Sequence, residues 1–294
     1  MNSTNGTSWN VAGSNGSSMT TGWDVAYGNG LWVAVGDDIA KSTDGNTWTS
    51  AASNGGVTTG QRIAYGKDGL GGNLWVAVGN GTIIAKSTDG NNWTQAVNVG
   101  GLTGGRGVAY GKDGTGAGLW VAVGSGGSLI VKSTDGNNWT AIPAGARGGL
   151  TAGLGVAYGK DGLGGNLWVA VGGGSIIAKS TDGNTWTAAN SFGSLTYGYG
   201  VAYGKDDMGA GLWVAGGQGS LIAKSSDGNN WTAAGTKGGL TTLVIGLAYG
   251  NGLWVACGRG TFIASSPDGN TWSAAGSNGG INNANGVAFK NEIV

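Results

Sequence analysis

Six aspartates recur along this chain, Asp44, Asp89, Asp135, Asp182, Asp227 and Asp268, each two positions after a serine and immediately before a glycine. Carboxylates in series suggest cation binding, glycosidic cleavage or turn formation. A hard cation takes six or more oxygens and each repeat offers a single carboxylate, so no metal is expected. Glycosidic cleavage needs two carboxyls about 5 to 10 Å apart. The remaining chemistry is structural: a carboxylate accepting nearby backbone amides while the glycine takes positive φ. Histidine is absent and Cys257 is the only cysteine, which removes imidazole bases, intrachain disulfides and the usual zinc ligand sets. Fifteen basic residues balance fifteen acidic ones, so no net field draws the chain to nucleic acid or an anionic membrane. No cofactor is implied, and neither a targeting segment nor a long apolar run is present; a secreted or surface-associated location stays open.

The elements that carry these residues follow from a repeat of roughly 40 to 47 residues. Its unit reads V-A-Y-G, then L-W-V-A-V-G, then I-I-A-K-S-T-D-G, then N-x-W-T-A-A, joined by glycine-rich segments. Glycine supplies 67 residues and tryptophan 14, a pairing that excludes disorder because the tryptophans need a core. Four short β-branched or aromatic pieces per period predict the antiparallel blade of a β-propeller. L-W-V-A-V is apolar at successive positions, as a strand covered on both faces must be. The first piece occurs seven times, at Val25, Ile63, Val108, Val156, Val201, Leu247 and Val287. The fourth centres on Trp9, Trp48, Trp93, Trp139, Trp186, Trp231 and Trp272.

The expectation is one all-β domain over 1–294, a seven-bladed propeller of four-stranded antiparallel blades. Its blades run approximately over 25–57, 63–100, 108–145, 156–192, 201–236 and 247–277, with 287–294 and 1–12 sharing a thin seventh. Pairing of the two termini would satisfy edges otherwise left open. The second piece of that blade would only begin, at Ile293-Val294. From Trp272 onward 22 residues remain and nine lead to Trp9, against 39 to 47 between other such tryptophans, so six blades is the alternative.

The run Ser42-Thr43-Asp44-Gly45-Asn46-Thr47-Trp48, repeated from Ser87, Ser133, Ser180, Ser225 and Ser266 and degraded at Ser3, resembles the Asp-box, or bacterial neuraminidase repeat. It is one residue shorter between aspartate and tryptophan than the commonest spelling. The repeats are similar to those of sialidases and of photosystem II assembly-factor propellers, and the resemblance implies a propeller. The sialidase site would need three arginines, a tyrosine nucleophile with a glutamate partner and an acidic aspartate. Arg62, Arg106 and Arg147 with Tyr199 superficially suit it, but Glu292, the one glutamate, falls on the wrong connection, so an enzyme is not expected.

Subtracting the repeat isolates the residues that could confer recognition. Trp23, Tyr197 and Tyr199 are the tryptophan and tyrosines outside the repeated positions, and Arg62, Arg106, Arg147 and Arg259 are all irregular. The position two before each first piece reads Trp23, Gln61, Arg106, Leu154, Tyr199, Ile245 and Asn285. In a propeller the fourth-to-first and second-to-third connections share one face, opposite the Asp-boxes. Trp23, Arg62, Arg106, Arg147, Tyr197, Tyr199, Gln218 and Arg259 are therefore the expected ligand-binding set; Asp24, Asp37 and Asp38 are the acids of that face. The expected function is non-catalytic carbohydrate or surface recognition, with a glycan or surface receptor as partner. The alternatives are a protein-binding scaffold, whose arginines would meet an acidic partner, and a structural module of a larger assembly.

Overall fold

A computed structural model of the chain describes residues 1–14, 19–174, 176–219, 221–260 and 263–290. Six antiparallel meanders of four strands form the body of a propeller, the third of them widened by Asn98–Val99, which pairs parallel to its outermost strand. Blade one comprises Gly22–Gly28, Leu31–Gly36, Ile39–Ser42 and Thr49–Ser50; blade three comprises Leu102–Lys112, Gly118–Gly127, Ile130–Ser133 and Asn138–Ala141. Blades two, four, five and six begin with Gly60–Lys67, Ala152–Lys160, Gly198–Lys205 and Leu243–Gly250.

Among the described residues the seventh four-stranded blade expected from the sequence is not formed, and the six-blade alternative describes the complete sheets. Between blades six and one lie segments from both ends of the chain, which among the described residues pair as a two-stranded parallel contact of Ser8–Trp9 with Ser277–Asn278. Residues 284–290 follow the path of a first strand without any strand assignment. Ile293-Val294 and Glu292 lie outside the described residues.

The apolar second strands explain the seams. In blade two, Leu74, Val76 and Val78 face blade three, where they meet Trp120 and Ala122; the same interlock recurs at the other complete seams, as where Val33 and Val35 meet Trp75 and Ala77. Alternate residues of one strand thus feed two different cores, which is why the run shows no polar alternation. Four of the second-strand tryptophans also bind across their seams: the Trp120 Nε1 donates to the Lys67 carbonyl at 2.8 Å, and Trp168, Trp213 and Trp254 bond Lys112, Lys160 and Lys205 likewise. Trp120→Phe should keep most of the burial but orphan a seam carbonyl, lowering stability by about 1–2 kcal/mol and Tm by about 2–3 °C. Trp32, which is only partly buried, should lose less than half of that when made phenylalanine; equal losses in calorimetry would sink this account.

Close approach at the axis depends on a belt of glycines. Immediately before the seven V-A-Y-G copies stand Asp24, Arg62, Gly107, Gly155, Gly200, Gly246 and Gly286. A methyl group on Gly107 would lie 3.2 Å from the Gly155 Cα, one on Gly155 3.3 Å from the Gly200 Cα, and one on Gly246 3.1 Å from the Gly286 Cα. On Gly200 it would overlap the Ile245 carbonyl oxygen. Only glycine lets innermost strands approach this closely.

Candidate functional site

In all six blades the first and second strands slip register at one place, between Gly22 and Asp24, Gly60 and Arg62, Gly105 and Gly107, Gly153 and Gly155, Gly198 and Gly200, and Val244 and Gly246. The residue left over is Trp23, Gln61, Arg106, Leu154, Tyr199 or Ile245, so in each blade the variable position is the extra residue of a β-bulge. A bulge takes a side chain out of the ladder and re-aims it. These residues stand side by side around one mouth of the axis: Gly155 abuts the Tyr199 carbonyl, Gly246 that of Asn285 and Gly286 that of Trp23.

The structure brings only part of the expected set together. Tyr197 and Tyr199 form a tilted pair with ring centroids 5.4 Å apart, and the exposed Gln218 is joined to Tyr197 through the backbone, its main-chain N–H donating to the Tyr197 carbonyl at 3.0 Å. Trp23 and Arg106 share the bulge ring from blades one and three. Arg259 is exposed on blade six, bridged by its backbone to Asn283. The expected arginine cluster does not form. Arg147 stands on the outer rim, where its backbone runs parallel to Trp186 and its Nε donates to the Ile142 carbonyl at 2.9 Å. After the fourth strand the chain first clasps the outer edge of the next blade before turning inward, a detour that a simple loop assignment misses. Arg62 turns back, its Nη1 donating to the Gln61 carbonyl at 2.7 Å, and Gln61 is buried.

Asp24 and Arg62 replace glycine at neighbouring positions of the belt. The Asp24 Oδ2 accepts the Ile63 amide at 3.1 Å, and its Oδ1 faces Gly286. Enclosure by three first strands pushes this carboxyl up to about 6, against the pull of the Arg62 guanidinium and the Ile63 and Val25 amides. Burial likewise pushes the neighbouring Cys257 thiol up to about 12, so it is an inert neutral group. Asp37 is engaged by the hydroxyl of Thr20 and the amides of Thr20 and Thr21, which hold it below the usual range.

On the opposite face the six repeated aspartates are turn-formers. The Asp44 Oδ1 accepts the amides of Thr47 at 2.7 Å and Asn46 at 2.8 Å and the Ser42 hydroxyl at 2.9 Å, which together bring it down to about 2. In Asp227 and Asp268 burial works the other way and is outweighed by the same bonds, leaving both at about 2. Asn5 copies the geometry, accepting the Thr7 and Ser8 amides at 3.0 and 2.9 Å. The following tryptophan closes each turn, as the Trp139 Nε1 does on the Gly136 carbonyl at 3.1 Å. Among the described residues no group of three or more His, Cys, Asp or Glu side chains could hold a metal ion, and no helix is long and apolar enough to cross a membrane.

Two features of this face are not expected from the sequence. Two shallow clefts of about 380 Å³ open here, one between Asp113, Lys132, Asn138 and Asp182, the other between Asn29, Tyr65, Lys67 and Tyr110. In addition, the hairpins of blades two, four and five present Leu70, Leu163 and Met208 at 98, 98 and 87 % exposure. These tips are held by their own turns: the Asp68 Oδ1 accepts the amides of Leu70 at 2.9 Å and Gly72 at 2.7 Å, and Asp161 and Asp206 do the same. The signal was legible as one large apolar residue amid polar turn residues, where exposure rather than burial is the only outcome.

No protein-family model and no curated protein matches this sequence. Among solved structures the chain is similar to YCF48 from Cyanidioschyzon merolae, with a TM-score of 0.57 and 16 % identity over 86 % of this chain and 84 % of that one, a likeness of fold.

Proposed function

We propose that the chain is a non-catalytic recognition propeller that binds carbohydrate at the bulge face, centred on Tyr197, Tyr199 and Gln218. The observation that carries this reading is the paired tyrosine rings on the rim of blade five, next to the exposed residue Gln218, whose backbone is bonded to that of Tyr197. Aromatic faces stack on the apolar faces of sugars, and a carboxamide satisfies both donors and acceptors of hydroxyls. Dispersal of Arg62 and Arg147 weakens the charge-led alternative on this face. The non-catalytic reading is supported by the occupation of the carboxylates, since the repeated aspartates and Asp37 accept turn amides and Asp24 is held inside the axis. A glycan array followed by titration calorimetry tests it. Tyr197→Ala and Tyr199→Ala should each weaken the best glycan about tenfold, the worth of one aromatic contact. Absence of any glycan bound at millimolar concentration, or binding indifferent to both changes, would remove the reading.

A second reading, a protein-binding scaffold, is favoured by Leu70, Leu163 and Met208. Exposed apolar groups on rigid tips suit burial against a partner, and the structural neighbour YCF48 is a photosystem II assembly factor. Such an interface would be salt-insensitive and lost in a triple serine variant of the tips, with glycan binding intact.

A further inference from the structure

The sector between blades six and one has the frame of a blade without its middle. Residues 284–290 occupy the first-strand path, with the Ala284 amide on the Gly258 carbonyl at 3.0 Å and Gly286 in the axial belt between Gly246 and Asp24. The outer element is in place as well: Gly6 packs on Leu253 as Gly90 packs on Leu31 and Gly136 on Leu74. What differs is the inner neighbour. Gly90 and Gly136 also face the second-strand tryptophan of their own blade, Trp75 and Trp120, whereas Gly6 faces only Leu253 and Val255 of blade six.

Burial across the sector agrees. In blades two to six the tryptophan and alanine that receive the preceding blade, such as Trp75 and Ala77 or Trp254 and Ala256, are at most 1 % exposed. Their counterparts Trp32 and Ala34 are partly exposed. The short Asn29-Gly30 hairpin of blade one is not the cause, because blade six has the same Asn251-Gly252 turn and a fully buried Trp254. The exposed wall faces the sector in which, among the described residues, no second or third strand stands.

We infer that this slot accepts a two-stranded β-hairpin supplied by a separate polypeptide, of the pattern Leu-Trp-Val-Ala-Val-Gly followed by Ile-x-x-Ser. The six blades define the fit. Strand addition supplies main-chain bonds, and alternate side chains fill the two walls. By the register of blade three, where Val108, Ala109 and Tyr110 pair with Ala122, Val121 and Trp120, the incoming alanine, valine and tryptophan pair with Val287, Ala288 and Phe289. The leucine and valines then cover Trp32 and Ala34, while the tryptophan closes on Gly6. An extended segment with polar alternation has no place there, because both of its faces are enclosed.

The test uses the intact protein and a synthetic peptide of residues 119–133 carrying a solubilising lysine tail. One-to-one binding is expected with a Kd of about 10 µM or tighter, with amide-exchange protection appearing within 287–290. A peptide with aspartate at the two positions matching Val121 and Val123 should fail to bind. Ala34→Arg, on the partly exposed wall, should abolish binding while near-ultraviolet circular dichroism stays native; if that variant misfolds, the aspartate peptide and the exchange map still decide. Lack of binding at about 100 µM, protection confined to other blades, or a concentration-dependent dimer that itself covers Trp32 would overturn the inference.

Discussion

Gly200→Ala is expected to lower the stability of the propeller by about 3 kcal/mol or more, and Tm by about 5 °C, for the addition of one methyl group. That methyl would overlap the Ile245 carbonyl oxygen of the next blade. A backbone atom in a packed first strand cannot rotate away as a side-chain end can, so two blades must separate along their seam. Conformational strain is not the reason, because Gly200 does not take a positive φ. Gly145 provides the control: it is exposed, with nothing within 4 Å of the place an added methyl would occupy and no positive φ, and Gly145→Ala should be neutral or stabilising by a few tenths of a kcal/mol, roughly. Chemical denaturation of both variants decides the matter; a Gly200→Ala protein as stable as the control would show that the belt is not tight.

A pH effect of similar size should come from Asp24. Its folded value of about 6 lies above the ordinary aspartate value of 3.8, so the folded state binds the proton more strongly. The associated stability is fully present below about pH 3.8 and is lost as pH rises through 6, a difference of about 3 kcal/mol for a shift of this size. The repeated aspartates act in the opposite sense. Asp44, Asp227 and Asp268 sit at about 2, so their contribution is present above about 3.8 and disappears as pH falls towards 2. The stability maximum should therefore fall near pH 4 to 5. Asp24→Asn keeps an oxygen acceptor for the Ile63 amide and removes the buried charge. Urea denaturation should find this variant more stable than the parent at pH 7.5 by about 2–3 kcal/mol and equal to it at pH 4. Lower stability at pH 7.5 would mean that attraction between Asp24 and Arg62 outweighs the enclosure of the carboxylate.

The bulge ring shows how far the sequence carried the candidate site. Trp23, Gln61, Arg106, Leu154, Tyr199 and Ile245 were identifiable because a regular repeat makes departures visible, and the structure gives all six one backbone role. What they do locally was not legible, since a bulge is a mismatch between two strands and shows in neither strand alone. The arginines illustrate the same limit. Arg62, Arg106 and Arg147 occupy similar places in the repeat, yet one folds back at the axis, one stands in the bulge ring and one lies on the outer rim. Their fates depend on where the chain travels between blades.

Short-range pattern alone determined the strands, the tight turns at the repeated aspartates and the double-sided burial of L-W-V-A-V, because each rests on residues a few positions apart and on a period that repeats. The glycine before V-A-Y-G was equally visible, but its purpose was not, for it acts on a strand about 45 residues away. Only the closed tertiary arrangement decided which side chains became neighbours, that Asp24 and Arg62 would share the axis, that two clefts would open opposite the expected face, and that Trp32 would look onto a sector with no second or third strand among the described residues. Those outcomes come from the angle and spacing at which whole sheets meet, and no window of local sequence encodes them.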